Sequence, residues 1–235
     1  MILPLDSKLE PWITAEILAK IEADEGWMAD ETVRCEEEPW YWAVNYIYTI
    51  RKDEFTENSR PEVLRFPPKE HLRYLLHKCF TEPKFVNDKS RQMVLSWLFM
   101  LYELYWGQFG KYEEIVVQTK KEADVEQLVW RAKFMYDSQR YWMKKRFPVD
   151  YRGGRGGRLE FMNNHCVIQG IPGGVGAGDQ IRSKNPSRYF LDEGAFIDEF
   201  EDCRTNAEAC CQDIKIVSTA GAGQFCEFVH DRLMV

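Results

Sequence analysis

The segment RYFLDE, residues 188–193, decides the fold class of this chain of 235 residues. Its apolar positions form a short run that ends in two adjacent carboxylates, Asp192 and Glu193. A buried strand of this kind delivers polar side chains to the carboxyl edge of an α/β sheet, where such folds bind ligands. Because adjacent acids also occur on surfaces and at helix starts, their meaning depends on the segments around them.

Short β-type runs alternate with longer helical patterns from residue 84 onward, which predicts an α/β sheet with helices packed on it. Predicted strands cover residues 84–87, 115–119, 159–162, 166–170, 188–191 and 214–218, and predicted helices cover 96–106 and 122–143. The second helix has an apolar face formed by Val125, Leu128, Val129, Ala132 and Met135.

The first 65 residues are acidic and aromatic, and we predict a mostly helical N-terminal segment there, with residues 66–235 as the core. Pro39 indicates a helix start, because proline is favoured at the first helical position. Residues 52–68 contain three prolines and predict an irregular connector before a helix at 69–80.

Residues 89–96 lie between a predicted strand and a predicted helix, where a phosphate-binding loop belongs. The standard loop reads G-x-x-x-x-G-K-[ST], and only Ser96 matches it, since Lys89, Val94 and Leu95 replace the two glycines and the lysine. The amine of Lys89 can reach the phosphates that the usual lysine contacts, from the opposite side of the loop. The planar guanidinium of Arg91 is a further donor. Because a β-branched residue resists positive φ, Val94 predicts a loop that differs from the glycine form.

Four ordered motifs resemble those of bacteriophage terminase large subunits, and the resemblance covers roughly Arg34 to the C-terminus. KSRQM (89–93) followed by SWL (96–98) resembles their deviant phosphate loop, and GAFI (194–197) follows the acidic pair much as it does in that family. IKIVSTA (214–220) resembles the coupling motif. FPPKEHLR (66–73) stands at the adenine-side segment, without its usual glutamine, and GDQIRS (178–183) also resembles the family.

The resemblance implies an ASCE-type P-loop NTPase with a mainly parallel central sheet flanked by helices, which hydrolyses ATP with Mg²⁺. It assigns Mg²⁺ to Ser96 and Asp192, water activation to Glu193, and nucleotide sensing to Ser218 and Thr219. Arg182 is a candidate sensor or arginine finger, or else an ordinary surface arginine. Lys89 and Arg91 complete the catalytic set. Nucleotide contacts are expected from Lys89, Ser90, Arg91, Gln92, Met93, Val94, Leu95, Ser96 and Trp97.

The same resemblance implies a motor that moves double-stranded DNA into a procapsid. Its expected partners are a portal protein, a small terminase subunit and further copies of itself in a ring, with the isolated domain a monomer. It would act in the host cytoplasm, docked transiently at the portal. Because the chain ends at Val235, we expect the nuclease domain of the family to be absent, and with it nuclease activity.

The segment KKRFPVDYRGGRGGR, residues 144–158, is the most basic part of the chain. It predicts a flexible loop that could contact DNA, although its Arg-Gly-Gly rhythm also fits RNA binding or a plain connector. Residues 170–178 are rich in glycine and predict a mobile connector. The possible DNA contacts are Lys144, Lys145, Arg146, Arg152, Arg155 and Arg158.

The net charge of −7 excludes a surface that binds DNA everywhere, so nucleic-acid contact requires a local basic patch. The seven cysteines show no paired C-x-x-C spacing and predict reduced thiols in an intracellular protein. Two other functions stay open: a helicase of related architecture, and an assembly module that binds nucleotide weakly because Val94 and Leu95 alter the loop.

Overall fold

The computed structural model describes residues 8–51, 61–89, 94–219 and 223–233, together with Leu5. Its strands are β1 (Tyr48–Arg51), β2 (Glu62–Arg65), β3 (Lys84–Lys89), β4 (Glu114–Thr119), β5 (Val149–Arg152), β6 (Arg158–Phe161), β7 (Cys166–Pro172), β8 (Arg188–Asp192) and β9 (Asp213–Thr219). Its helices are α1 (Ala15–Glu22), α2 (Glu25–Glu37), α3 (Pro39–Tyr46), α4 (Glu70–Thr81), α5 (Leu95–Phe109), α6 (Glu122–Asp137), α7 (Tyr141–Arg146), α8 (Ala177–Lys184), α9 (Phe200–Cys210) and α10 (Gln224–Leu233).

The described residues form two compact units. The first comprises the residues up to Phe80 together with Phe134–Phe147, and the second comprises Thr81–Lys133 together with the residues from Pro148 onward. This division falls later in the chain than the predicted boundary after residue 65, and it adds a distant segment to the N-terminal unit. Whether the units correspond to the two predicted domains stays a prediction.

In the first unit, α3 begins at Pro39 as the sequence predicts, and every residue of this helix is buried. The carboxylate of Glu31 accepts hydrogen bonds from the Tyr41 hydroxyl and, at 2.6 Å, from the Tyr46 hydroxyl. Burial, and next to it the Glu31 carboxylate, raises the pKa of Tyr41. Both tyrosines can therefore stay neutral donors, so the buried acid is satisfied by hydrogen bonds.

The first unit also contains an antiparallel strand pair, β1 with β2, in which Tyr48 lies opposite Arg65. The predicted irregular connector at 52–68 is therefore wrong for β2, while residues 52–60 lie outside the described part. The four residues of β2 carry no strong alternation, and their partner strand precedes them by more than ten residues. Pairing of this kind is decided by tertiary contacts that a local pattern does not reveal.

The second unit is built on a seven-stranded sheet in the order β3-β9-β8-β4-β7-β6-β5. The neighbouring strands β3, β9, β8, β4 and β7 pair in parallel. Strand β6 pairs antiparallel with β7 on one side and with β5 on the other. Parallel strands are covered by helices on both faces and need continuous apolar runs, which β4 and β8 supply. The predicted α/β fold with a mainly parallel sheet flanked by helices is confirmed. One strand, β9, separates β3 from the acidic strand β8.

The predicted helix over 122–143 is interrupted: α6 ends at Asp137 and α7 begins at Tyr141. The predicted flexible loop at 144–158 is also wrong, because β5 and β6 form a hairpin there. Its turn has positive φ at four successive residues, namely 78° at Gly154, 49° at Arg155, 86° at Gly156 and 81° at Gly157. Three of the four are glycine, the residue that adopts this conformation without steric cost.

The hairpin turn is anchored to its surroundings. The backbone N–H of Gly154 donates to Oε1 of Glu126 on α6 at 2.6 Å. A Cβ at Gly156 would lie 2.5 Å from the carbonyl oxygen of Gly170. The repeated glycines therefore allow a close backbone approach inside the unit, and the RNA-binding interpretation is not needed to explain them.

The mobile connector predicted for residues 170–178 is wrong at both ends, since β7 continues to Pro172 and α8 begins at Ala177. The turn between them is hydrogen-bonded. The Gly173 N–H donates to the Thr119 carbonyl at 2.7 Å, and the Gly176 N–H donates to Oε2 of Glu199 at 3.0 Å. None of the described helices combines the length and apolar content of a membrane span.

Candidate active site

The carboxyl ends of three strands meet at one edge of the sheet. In the pairing of β3 with β9, Lys89 lies opposite Thr219, and in the pairing of β8 with β9, Asp192 lies opposite Val217. Helix α5 starts directly after the segment that follows β3. This register brings Lys89, Ser96 and Asp192 together, although they come from three separate elements.

Asp192 is the centre of this site and is only 4% exposed. Its Oδ1 accepts from the Lys89 ammonium at 2.9 Å and from the Glu193 backbone N–H at 3.0 Å. Its Oδ2 accepts from the Ser96 hydroxyl at 2.5 Å. Burial of a polar group is costly unless it is hydrogen-bonded, and here a cation, a hydroxyl and an amide supply the hydrogen bonds to Asp192.

Ser96 and Asp192 place a hydroxyl and a carboxylate oxygen in direct contact. Mg²⁺ prefers oxygen ligands of this kind, and it keeps several waters and substrate phosphates as further ligands. Among the described residues no group of three or more His, Cys, Asp or Glu side chains could hold a metal by itself. The hydroxyl of Ser96 and the carboxylate of Asp192 fit a magnesium ion that takes its remaining ligands from waters and phosphates.

Glu193 follows at the strand end and adopts the left-handed conformation, with φ at 60°. Partial loss of water raises the pKa of its carboxyl, and the adjacent Asp192 raises it further, while Lys89 acts in the opposite direction. A raised pKa suits a group that must accept a proton near neutral pH. Left-handed backbone at a residue other than glycine is uncommon and is often found at functional sites.

Val94 has a φ of 61° and is the residue that precedes α5. The expectation that its β-branched side chain would exclude positive φ is therefore wrong: the backbone here adopts the left-handed region that glycine favours. Strain of this type is held in place only where the surrounding structure demands it. Leu95 is 2% exposed and belongs to the core, so it contributes no polar group in place of the usual lysine.

Four predicted nucleotide contacts, Ser90, Arg91, Gln92 and Met93, lie outside the described residues. Of the remaining predicted set, Lys89 and Ser96 meet at Asp192, with the Lys89 ammonium also 3.4 Å from the Ser96 hydroxyl. Trp97 is half-buried on the first turn of α5. The described flanks of the predicted loop thus converge on the acidic strand.

Ser218 links the end of β9 to the turn after the acidic pair. Its hydroxyl accepts from the Ala195 N–H at 2.9 Å and donates to the Thr219 carbonyl at 2.9 Å. Because this hydrogen bond joins the turn to β9, a movement of the turn would also displace the end of β9. The contact is consistent with the predicted coupling role of Ser218 and Thr219, which stays a prediction.

Arg182 lies on α8 and pairs with Asp179 on the same helix, with both side chains largely exposed. Among the described residues it makes no contact with Asp192 or Glu193. The structure therefore does not bring this predicted catalytic residue to the site of its own chain. As an arginine finger it would have to act on a neighbouring copy.

The predicted DNA-contact residues are divided between the two units. Lys144, Lys145 and Arg146 end α7 in the first unit, whereas the other three belong to the hairpin in the second. In the hairpin, Arg152 pairs with Asp150 at 2.9 Å and Arg158 pairs with Glu160 at 3.1 Å. Arg155 is exposed at the turn, and no carboxylate in the described part of the chain lies within ion-pair distance of it.

Arg131 was not predicted from the sequence, yet it lies beside Trp97, the residue that follows Ser96. It lies on α6, and its guanidinium carbon is 5.6 Å from the centre of the Trp97 ring. The charges of Asp192 and Glu193 both act on it. The only available signal was its place beside the apolar face of the helix, three residues after Leu128, and this position is equally typical of a surface arginine.

Comparison by sequence finds no relative, since no protein family and no curated protein matches the chain. Comparison by structure finds the large terminase ATPase domain of Thermus phage P74-26. A point mutant of that domain aligns with a TM-score of 0.50 and 14% identity, over 68% of this chain and 69% of that one. This chain shares the fold of a terminase ATPase domain.

A further structure of the same phage domain aligns with a TM-score of 0.48 and 13% identity, over 63% of this chain and 64% of that one. The similarity to the mutant domain, at 14% identity, shows the fold and nothing about the reaction. Any function must therefore be argued from the site at the carboxyl edge of the sheet.

Proposed function

We propose that this domain binds ATP with Mg²⁺ at the carboxyl edge of the sheet and hydrolyses it. The observation that carries the proposal is the convergence of Lys89, Ser96 and Asp192, which come from β3, α5 and β8. A cation, a hydroxyl and a carboxylate at the start of a helix after a strand are the parts that phosphoryl transfer needs. The shared fold with a terminase ATPase domain supports the same assignment.

Each residue has a distinct task in this proposal. Lys89 leaves Asp192 and contacts the nucleotide phosphates. Arg91 contacts the phosphates as well. Ser96 and Asp192 hold Mg²⁺, which when bound neutralises charge on the phosphates. Glu193 accepts a proton from the attacking water. The hydrogen bond between Ser218 and Ala195 passes the resulting movement of the turn after Glu193 to β9.

The finer proposal is that hydrolysis drives double-stranded DNA into a procapsid. It rests on the resemblance of the ordered motifs and on the shared fold. The working form would then be a ring of copies on a portal protein, with a small terminase subunit as partner and Arg182 of one copy reaching the next. The alternative is a related DNA helicase, which would separate strands without any capsid component.

The hairpin supplies the candidate DNA contact. Arg155 is exposed at a turn that is hydrogen-bonded to α6, and it has no carboxylate partner among the described residues. An arginine in this position can bind a phosphate without losing an internal ion pair. Arg152 and Arg158 would first have to leave Asp150 and Glu160, so we expect them to contribute less.

Calorimetric titration with a non-hydrolysable ATP analogue tests the nucleotide proposal, with and without Mg²⁺. We expect saturable binding that requires Mg²⁺ and is lost in Asp192→Ala. Absence of binding at millimolar analogue would contradict the proposal and favour the assembly module. Lys111→Ala, a substitution in the turn between α5 and β4, is the matched control and should bind as the unmodified protein does.

A further inference from the structure

A second basic side chain, Arg131, lies beside the first turn of α5. Its guanidinium is placed over the ring of Trp97, with 5.6 Å between the guanidinium carbon and the ring centre. Trp97 directly follows Ser96, whose hydroxyl contacts Asp192. The planar cation is thus positioned next to the helix start at which a phosphate loop holds its phosphates.

The surroundings of Arg131 are acidic, but they do not neutralise it by contact. Its side chain is half-buried, and no carboxylate of the described residues lies within ion-pair distance of the guanidinium. Burial lowers the pKa of Arg131, while the charges of Asp192, Glu193 and Asp124 oppose that effect. A cation that has lost part of its water without gaining an ion pair has capacity for an anionic ligand.

The position of Arg131 over Trp97 also indicates which part of a nucleotide it would meet. Glu193 is the proposed base for the water that attacks the terminal phosphorus, so it must lie at the terminal phosphate. Ser96 and Asp192, the proposed Mg²⁺ ligands, lie at that end as well, and Trp97 directly follows Ser96, so Arg131 belongs to the same end of the triphosphate. An adenine or ribose contact would require the opposite end.

We propose that Arg131 binds the terminal phosphate of ATP and so distinguishes ATP from ADP. The inference rests on the proposed function, because it concerns the same nucleotide site. A guanidinium over an indole is held by a cation–π contact that uses none of its N–H groups, so they stay available for bidentate contact with a phosphate. Trp97 would then act as a positioning residue for Arg131.

The test compares the affinities of the full chain for a non-hydrolysable ATP analogue and for ADP, both with Mg²⁺, by calorimetry. In Arg131→Gln we expect binding of the analogue to weaken about tenfold, which corresponds to about 1.4 kcal/mol, while ADP binding changes less than about twofold. Arg131→Lys keeps the charge but loses the planar pair of N–H donors, so it should show part of the selectivity that Arg131→Gln loses. Trp97→Leu should reduce the selectivity in the same direction.

Lys133→Gln is the matched control, because it removes a cation from the same helix that lies over a different ring, that of Tyr151 at 5.7 Å. It should leave both affinities unchanged. Equal weakening for ATP analogue and ADP in Arg131→Gln, or no weakening of either, would overturn the assignment. Failure of the unmodified chain to bind either nucleotide would instead overturn the proposed function itself, so the two failures are distinguishable.

A fold defect in Arg131→Gln would show as a lowered melting temperature without nucleotide. In that case Arg131→Lys decides the question, since it keeps the cation over Trp97 and the charge balance with the acids. Selectivity for ATP over ADP that is reduced in Arg131→Lys relative to the unmodified protein supports the proposal. Full retention of selectivity in that variant, with the guanidinium fork gone, contradicts it.

Discussion

The ammonium of Lys89 lies 2.9 Å from Oδ1 of Asp192, although 103 residues separate the two in the sequence. The pair is nearly buried, with 10% of the Lys89 side chain and 6% of the Asp192 side chain exposed. The lysine therefore stands against the carboxylate and the Ser96 hydroxyl that are proposed to hold Mg²⁺. Binding of a magnesium nucleotide would have to draw Lys89 from the acid toward the phosphates.

The Lys89–Asp192 pair should matter for stability before any ligand binds. Removing one partner leaves a buried charge uncompensated, so we expect Lys89→Met to lower the free energy of unfolding by about 3 kcal/mol. Chemical denaturation of both single variants and of Lys89→Met with Asp192→Asn measures their coupling. The double variant should be more stable than the sum of the single losses predicts; strict additivity would show that the pair does not interact.

Strain at Val94 gives a second stability prediction. Its φ of 61° is unfavourable for a β-branched residue, so Val94→Gly should raise the free energy of unfolding by about 1 kcal/mol despite the greater freedom of glycine in the unfolded chain. Val175→Gly is the matched control, since Val175 is 95% exposed and has no positive φ. That control should be neutral or slightly destabilising. A loss of stability in Val94→Gly would show that the backbone conformation of Val94 is not strained.

A buried acid far from the site, Glu103 on α5, predicts a pH dependence. Burial, and next to it the charge of Asp213, raises the pKa of Glu103 to about 8, whereas Arg188 and Lys215 act in the opposite direction. The folded state therefore holds a proton that the unfolded chain releases near pH 4.5. Stability from this group is complete below that pH and is lost as pH rises through about 8, by at most about 1.4 kcal/mol per pH unit.

Glu103→Gln keeps the shape of the side chain and removes the titration. The unfolding free energy of this variant, measured by urea denaturation at pH 5 and pH 8, should fall less between the two than that of the unmodified protein. Identical pH dependence in both proteins would place the pKa of Glu103 near its ordinary value.

The hairpin residue Arg155 should show opposite effects on folding and on DNA binding. Because its φ is 49°, Arg155→Gly should stabilise the fold by about 0.5 kcal/mol. The same change should weaken binding to double-stranded DNA and lower the slope of the salt dependence by about one. Arg152→Gln, in which an Asp150-paired arginine is removed, should have the smaller effect on binding. Unchanged DNA affinity in Arg155→Gly would remove the hairpin turn from the DNA-contact surface.

Some parts of the fold and site could be predicted because local sequence patterns indicate them. The alternation of apolar runs placed β4, β8 and β9 within a residue or two of their observed bounds. The acidic pair at the end of RYFLDE identified the carboxyl edge, because in a parallel sheet these strand ends share one edge. The apolar face of α6 was likewise recognised from its period.

Other parts depend on contacts between distant segments. No local pattern shows that β9 lies between β3 and β8, or that β1 pairs with β2. The glycines of residues 153–157 suggested flexibility, whereas their role is a tight turn packed against Gly170 and Glu126. Arg131 joins the site only through the packing of α6 beside Trp97, and Val94 adopts a conformation that its residue type disfavours.

Steady-state ATP hydrolysis by the Glu193→Gln variant tests the central claim most directly, because this change keeps the size of the side chain and removes the proposed base. We expect the variant to bind the ATP analogue with Mg²⁺ as tightly as the unmodified protein and to lose turnover by at least about a hundredfold. Normal turnover in Glu193→Gln would contradict the account, because the reaction would then not depend on the acidic pair at the end of β8.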